Sequence, residues 1–288
     1  WKGSDGIPID PHNQQDAEEH LTLILSRLEP KLSTIDTLFR GQIENHVQGE
    51  GEYKQYSRNF IENYFDISLE VKGHNNMASS LEAFKSPEKF EGKNKYQTEE
   101  AGPIDATQTH LILHDSPILI VTLKRIQFNM TTFVKEKIND RYEFPLSLDI
   151  SPILVDKEKE NNPSYELYGV IMHIGTADAG HYISHIKDSS NNWRVFNDSQ
   201  VQIETVEEML QASLGKNMTK DDDADMFAFQ NGSAYILFYR QVGYDFNIKN
   251  GFDEGDLPVS SNLINRLALD IKKDILTNIS LSKEYFMF

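Results

Sequence analysis

The sequence contains no cysteine among its 288 residues. Disulfide bonds, thiolate zinc sites and a cysteine nucleophile are therefore excluded within this chain. The same absence favours a reducing compartment, because small secreted domains commonly rely on disulfides. The chain begins with Trp1 rather than Met and shows no signal-peptide pattern. We therefore expect it to be part of a longer intracellular protein of the cytoplasm or nucleus.

Basic residues and long apolar runs are also scarce. Lys and Arg number 28 against 45 Asp and Glu, which gives a net charge of −17, and the basic residues form no cluster. A nucleic-acid partner is therefore excluded, and a basic protein partner fits the charge better. The longest apolar stretches, residues 118–121 and 234–239, have the length of buried strands, so no membrane segment is predicted.

Residues 165–201 are the most informative stretch of the sequence. They read as an apolar strand, a Gly/Ala-rich turn, a second strand that opens at Gly180, His181 and Tyr182, and a third strand that runs into Asn197 and Asp198. A histidine that acts as a general base needs a second group to fix its tautomer, and Asn or Asp can supply that acceptor. A structural histidine beside a glycine is the simpler interpretation of the same pattern.

The stretch resembles the histidine box of the ubiquitin-specific proteases. That box reads Tyr-x-Leu, a Gly-rich turn, Gly-His-Tyr, and then Trp-x-x-Phe-Asn/Asp-Asp. The matching residues here are Tyr165, Leu167, Gly180, His181, Tyr182, Trp193, Phe196, Asn197 and Asp198.

Other sequence boxes of that family occur earlier in the chain, in the family's order. Residues 14–19 resemble its Gln-Gln-Asp-x-x-Glu box, with His20 where the family has Phe or Leu. These residues also open a predicted amphipathic helix, which begins at Gln14, ends before Pro30 and has Asn13 as its cap. Residues 137–145 resemble the Lys-Ile-Asn-Asp-Arg-x-x-Phe-Pro run of the subgroup of the herpesvirus-associated ubiquitin-specific protease.

The resemblance implies an α+β, papain-like cysteine protease fold of thumb, fingers and palm with a largely antiparallel sheet. Residues 1–241 then form the protease-like domain without its N-terminal part, with a thumb helix in 1–37, fingers and connecting segments in 38–115 and the palm in 116–241. A strand pattern starts at Leu38, a helix covers 204–214, and 242–288 hold a linker and a helix from about Ser261. The family's zinc-binding cysteine pairs fall on 49–52 and 98–101, where no cysteine remains, so a metal-free finger tip is expected.

The resemblance also implies the chemistry. A cysteine in a Gly-Asn-x-Cys box, expected upstream of Trp1, would attack the isopeptide bond after the C-terminal glycine of ubiquitin. His181 would activate it, Asn197 would orient the imidazole, and Asp198 would be an auxiliary polar group. Gln15, Asp16 and Glu19 on one wall and Gly180 and Tyr182 on the other would bind the ubiquitin tail, without a cofactor or a metal.

Two alternatives remain at this point. The first is a catalytically inactive member of the family that binds ubiquitin or serves as a structural module in a larger assembly. The second is a metal site built from His173, His181 and His185. It is disfavoured because no carboxylate lies at ligand spacing and because strand alternation places only His181 and His185 on one face. The expected partners are ubiquitin, ubiquitinated proteins and a possible larger assembly.

Overall fold

The computed structural model describes residues 15–156, 163–188, 190–215, 232–244 and 246. The chain divides into two compact units, Trp1–Tyr244 and Asp245–Phe288. The helix predicted near Ser261 belongs to the second unit and lies outside the described residues. In the described part of the chain, no helix is long and apolar enough to cross a membrane.

The described residues contain four α-helices and two short 3-10 helices. The α-helices are α1 (Ala17–Leu28), α2 (Ser33–Phe39), α3 (Met77–Lys85) and α4 (Val206–Ser213). The 3-10 helices cover Gly51–Tyr53 and Ser151–Ile153.

Helix α1 begins later than the sequence predicts. Asp16 has an extended backbone (φ −72°, ψ 131°) and caps the helix by accepting hydrogen bonds from the amides of Glu18 and Glu19. A helix beginning at Gln14 with Asn13 as its cap is therefore wrong. Asp and Asn are both good caps, and here the second candidate along the chain is the one used, which leaves Gln15 outside the helix.

Two further boundaries differ from the sequence predictions. Residues 33–39 form α2, although a strand pattern was expected from Leu38; the amide of Arg40 bonds to the carbonyl of Asp36 and ends that helix. Helix α4 begins at Val206 rather than Glu204, because Thr205 and Glu208 form a capping box and Glu204 still belongs to a strand.

An eight-stranded sheet forms the larger part of the structure. Its strands are β3 (Asp66–Glu70), β8 (Ile118–Lys124), β11 (Ser147–Asp149), β12 (Ser164–Gly175), β13 (Gly180–Lys187), β14 (Trp193–Asn197), β15 (Gln200–Glu204) and β16 (Gly232–Gln241). The order is β15-β14-β13-β12-β16-β8-β3, with β11 beside β12. Every pair among these described strands is antiparallel except β3–β8, which is parallel.

A smaller four-stranded sheet and two hairpins complete the strands. The sheet contains β1 (Gly41–Gly49), β2 (Ser57–Tyr64), β4 (Glu88–Phe90) and β7 (Ala106–His114) in the order β2-β1-β7-β4. The hairpins pair β5 (Tyr96–Thr98) with β6 (Gly102–Ile104) and β9 (Ile126–Asn129) with β10 (Val134–Lys137). Residues 49–52 lie at the β1–β2 connection and 98–101 at the β5–β6 turn.

Apolar side chains from the eight-stranded sheet enter two separate cores. The larger core includes Met77 of α3 and Met209 of α4, packed with strand residues such as Val170. The second core joins Leu25 of α1 to Tyr235 and Ile236 of β16, with Ile35 and Phe39 of α2 against it. The N-terminal helices are therefore fixed to the same sheet that carries the histidine box.

Candidate active site

His181 is held by a tight turn between β12 and β13. Gly175 and Gly180 pair across this turn, and Gly175 has φ +112°, a conformation that favours glycine. A Cβ on Gly180 would lie 2.1 Å from the carbonyl oxygen of Ile174 and 2.4 Å from Nε2 of His173. Gly180 is therefore needed by the local packing, whatever it does in binding.

His181 and Asn197 lie together on neighbouring strands. Strands β13 and β14 pair with Ser184 opposite Phe196, a register that carries His181 and Asn197 to the same side of the sheet. Nε2 of His181 is 2.6 Å from Oδ1 of Asn197. Because an amide oxygen only accepts, Nε2 carries the hydrogen, and Nδ1 is left with the lone pair that a base needs.

Asp198 lies at the edge of this pair. Its Oδ2 is 4.0 Å from Nε2 of His181, beyond hydrogen-bond distance, and 82% of its side chain is exposed. Asp198 has φ +52° in the two-residue turn between β14 and β15, a position that Asp tolerates. The orienting contact to the imidazole is therefore made by Asn197.

The start of α1 is fastened to the sheet beside this pair. Oδ1 of Asp16 accepts from the amide of Glu18 at 2.8 Å, and Oδ2 accepts from the hydroxyl of Tyr235 at 2.6 Å. The amide of Ala17 donates to the hydroxyl of Tyr182 at 3.3 Å. The two tyrosine rings are 6.2 Å apart. Asp16 therefore joins the helix cap to the central strand β16.

A pocket of about 530 Å³ opens between α1 and the sheet. Three of the predicted tail-binding residues line it, namely Gln15, Asp16 and Tyr182. His20, Ser184 and Asp198 are also among its lining residues. Glu19 is exposed on α1, and neither it nor Gly180 is among the described residues that line this pocket.

Burial controls the protonation of Tyr182, which lines the pocket, and of His173, which packs against Tyr182. It lowers the pKa of His173 to about 4, with Lys137 and His181 acting in the same direction and Asp16 opposing them. Burial also raises the pKa of Tyr182, and the charge of Asp16 adds to this shift. The imidazole of His173 and the phenol of Tyr182 are therefore both uncharged at neutral pH.

The three histidines of the proposed metal site do not converge. His173 packs against Tyr182, with ring centroids 4.8 Å apart, whereas His181 bonds to Asn197. His185 is buried and bonds through Nδ1 to Glu204 at 2.7 Å. Within the described ranges, no group of three or more His, Cys, Asp or Glu side chains could hold a metal ion.

Sequence reasoning did not identify Tyr235 or Lys137 as parts of this region, and it named His173 only as a disfavoured metal ligand. Tyr235 lies in a continuous apolar strand, where no alternation distinguishes one face from the other. Lys137 donates to the carbonyl oxygens of His173 and Gly175, and contacts to backbone oxygens leave no signal in a sequence.

Comparisons with known proteins place the chain in a family. The family model for ubiquitin carboxyl-terminal hydrolase matches residues 5–239. Ubiquitin C-terminal hydrolase 13 of Arabidopsis thaliana is 32% identical over 267 residues, which cover 86% of this chain and 24% of that protein. Ubiquitin carboxyl-terminal hydrolase 15 of Saccharomyces cerevisiae is 27% identical over 287 residues, which cover 90% of this chain and 23% of that protein. The chain thus spans about a quarter of the length of these curated relatives.

Among solved structures, a chain of the SAGA Ubp8/Sgf11/Sus1/Sgf73 DUB module bound to ubiquitin aldehyde is similar, with a TM-score of 0.62 and 26% identity. The match covers 80% of this chain and 50% of that one. The mixed α+β architecture, with mostly antiparallel sheets, agrees with this neighbour. The chain belongs to the ubiquitin carboxyl-terminal hydrolase family and has the fold of the ubiquitin-specific proteases.

Proposed function

We propose that this chain is the part of a cysteine-type deubiquitinase that supplies the general base. The reaction is thiol-dependent hydrolysis of the isopeptide bond after the C-terminal glycine of ubiquitin. The observation that carries the proposal is the 2.6 Å contact between Nε2 of His181 and Oδ1 of Asn197, which leaves Nδ1 as the base. Family membership agrees with this assignment.

The catalytic roles follow from that tautomer. Nδ1 of His181 takes the proton of a thiol, and the thiolate attacks the glycine carbonyl to form an acyl-enzyme. The protonated imidazole then gives its proton to the departing lysine amine, and water attacks the thioester with His181 again as base. Asn197 holds the ring throughout, and Asp198, 4.0 Å away, adds negative charge at the rim.

The thiol must come from outside these 288 residues, because they contain no cysteine. We place it in a Gly-Asn-x-Cys box that precedes Trp1 in the complete protein. The Lys-Ile-Asn-Asp-Arg-x-x-Phe-Pro pattern of residues 137–145 supports assignment to the subgroup of the herpesvirus-associated enzyme. This chain by itself would then be inactive.

The ubiquitin tail would run through the pocket between α1 and the sheet. Gln15, Asp16 and Tyr182 line that pocket, and Glu19 and Gly180 would complete the path on either side. An extended basic peptide suits an acidic wall that also offers hydrogen-bond acceptors. The net charge of −17 favours the same ligand.

Domain roles and partners complete the proposal. We assign the thumb helix to 1–37, the fingers to 38–115, the palm to 116–241 and a linker with a helix to 242–288. The structural neighbour is a component of a multi-subunit module with bound ubiquitin aldehyde, which supports a larger assembly here as well. Ubiquitin conjugates occur in the cytoplasm and nucleus, and we place the protein there.

The test uses the complete natural protein and ubiquitin that carries a thiol-reactive group at its C-terminus. Wild type should be labelled, and His181→Gln should lower the turnover of ubiquitin conjugates by about 10²–10⁴. His114→Gln, which changes an exposed histidine of β7, is the matched control and should be fully active. Tight ubiquitin binding without labelling or turnover would instead identify an inactive binding module.

A further inference from the structure

Two cationic side chains, the buried Arg125 and the half-buried Lys137, lie where the β9–β10 hairpin joins the large sheet. Arg125 is 1% exposed, and it donates through Nε to the carbonyl of Ala234 at 2.7 Å and through one terminal nitrogen to the carbonyls of Ile138 and Asp140. Lys137 follows at the end of β10. Arg125 therefore fixes the base of the hairpin to β16.

Lys137 makes a different connection. Its ammonium group donates to the carbonyl of His173 at 2.8 Å and to the carbonyl of Gly175 at 3.2 Å. Both carbonyls belong to the last residues of β12, immediately before the turn that leads to His181. The hairpin is thus hydrogen-bonded to the end of β12, and the turn that follows this strand end leads directly to His181.

The strand ends on either side of the turn pair with each other, and the end of β12 also pairs with β16, but residues 176–179 have few described contacts outside the turn. Thr176 closes it by donating its amide to the carbonyl of Ala179 at 2.8 Å, and its hydroxyl accepts from the amide of Ala179 at 3.2 Å. These bonds lie within the turn and do not fix it to the rest of the fold. Gly175, with φ +112°, adds no side chain that could anchor it.

We propose that Lys137 is a positioning residue for His181, because it holds the end of β12 and thereby fixes the turn that carries the imidazole toward Asn197. The proposal rests on the assignment of His181 as the base, and it adds a residue that acts through its hydrogen bonds to the backbone carbonyls of His173 and Gly175. Its two bonds come from one charged donor, and bonds to charged groups contribute more than neutral ones.

The cost of burying Lys137 supports a specific task. Burial lowers its pKa to about 8, and the neighbouring charge of Arg125 acts in the same direction. An ammonium group that only covered the surface would extend into water instead. The ammonium group of Lys137 instead contacts two carbonyl oxygens, despite the desolvation cost of burying its charge.

The experiment compares Lys137→Met and Lys137→Arg in the full 288-residue chain. Methionine keeps an unbranched stem without donors, and arginine restores donors. Lys135→Met is the matched control, because Lys135 lies on the same strand and is exposed. The readouts are amide hydrogen exchange at Thr176 and Ala179, and the Nε2–H signal of His181 in protein with ¹⁵N-labelled histidine.

Lys137→Met should speed amide exchange in the turn at least tenfold and broaden or remove the His181 signal. Lys137→Arg should restore most of the slow amide exchange and of the His181 signal, and Lys135→Met should leave both readouts unchanged. A purely structural role would lower the unfolding midpoint but leave the His181 signal intact, and that result would overturn the proposal. If Lys137→Met does not fold, Lys137→Gln, which removes the charge and keeps a shorter, neutral amide, replaces it under the same criteria.

These readouts do not require turnover. If the His181 signal is altered in Lys137→Met, the positioning role stands. If the wild-type complete protein nevertheless never hydrolyses ubiquitin conjugates, only the enzymatic function is rejected. In an active complete protein, Lys137→Met should lower kcat more than it changes KM, because the tail pocket between α1 and the sheet does not include Lys137 among its described lining residues.

Discussion

Asp16 serves two structural purposes through its two carboxylate oxygens. One oxygen caps α1, and the other accepts the hydroxyl proton of the buried Tyr235. A residue proposed to bind ubiquitin is therefore also part of the contact between the helix and the sheet. Loss of affinity in an Asp16 variant must be separated from loss of stability.

We predict that Asp16→Ala lowers the free energy of unfolding by about 2–3 kcal/mol, the sum of a lost cap and an unsatisfied buried hydroxyl. Asp16→Asn keeps the cap and should cost about 1 kcal/mol. If Asp16 also binds the tail, Asp16→Asn should weaken ubiquitin binding by about 1.5–3 kcal/mol in the complete protein. Urea unfolding and a binding titration measure the two effects, with exposed Glu19→Gln as the stability control. Unchanged stability in Asp16→Ala would contradict the structure.

His173 makes stability depend on pH. Its pKa is lowered by burial from 6.5 to about 4, so between these values the unfolded chain binds a proton that the folded chain does not. The free energy of unfolding should therefore fall as pH falls from 6.5 to 4, by up to about 3 kcal/mol. Urea unfolding at a series of pH values from 4.5 to 7 should give a free energy of unfolding that changes less with pH for His173→Phe than for wild type. His114→Gln should keep the wild-type slope, and equal slopes in all three proteins would refute the assignment.

At this scale, the sequence predicts residues that belong to a local pattern. The pairing of His181 with Asn197 can be predicted because His181 lies at the start of one strand pattern, Asn197 lies at the end of the next, and both belong to a motif with fixed spacing. Tyr235 and Lys137 cannot, because their partners are 219 and at least 36 residues away and include backbone oxygens. No pattern in one sequence reports such pairings.

The segment proposed as the finger tip has its own small core. Val47, Ile104 and Ala106 are buried there, and Tyr53, Tyr56, Phe60 and Tyr96 pack around them. The rings of Tyr56 and Tyr96 are 6.3 Å apart, and Phe90 meets Tyr96 edge-on at 5.7 Å. This cluster joins the β1–β2 end of the smaller sheet to the β5–β6 hairpin.

We predict that apolar packing, not a metal, stabilises this tip. Ile104→Ala should cost about 2–5 kcal/mol, the range for truncating a buried aliphatic side chain. Treatment with a chelator should leave the melting temperature unchanged, as measured by calorimetry. Stoichiometric zinc in elemental analysis, or a lower melting temperature after chelation, would contradict this prediction.

Element boundaries show where local signals compete. The apolar spacing of α1 is clear, but two capping candidates precede it, and the contact of Asp16 with Tyr235 accompanies the later start. Helix α2 has only seven residues and no side-chain cap, so its sequence carries little helical signal. The strands of the histidine box, by contrast, are bounded by glycines and polar turns, and β12, β13 and β14 agree with the sequence prediction.

For the whole molecule, the cores described here lie within Trp1–Tyr244. We therefore predict that residues 1–244 fold without the rest of the chain. Their unfolding should be cooperative in calorimetry, with a melting temperature within about 5 °C of the full chain, the shift that roughly 1–2 kcal/mol would give at this size. A truncated protein without a cooperative transition would show that 245–288 are needed for the fold.

The sequence also predicts the class of the fold but not its strand order. Strand and helix patterns indicate individual elements, and the resemblance implies the largely antiparallel α+β fold and the protease architecture. The parallel pairing of β3 with β8, and the position of β16 between β12 and β8, depend on contacts between distant segments. Propensity and periodicity are local properties and do not encode these neighbours.

The position of β16 has a consequence for biosynthesis. The last described strand of the large sheet is also an interior one, flanked by β12 on one side and β8 on the other. A chain that leaves the ribosome N-terminus first therefore exposes the edges of β8 and β12 until Gln241 has emerged. At about 5–20 residues per second, the interval from the end of β8 to the end of β16 lasts roughly 6–23 seconds. Once β12 has also emerged, β8 can pair with β3 and β12 with β13, but each strand still has one unpaired apolar edge, and chaperones that bind such edges are expected to hold the nascent protein.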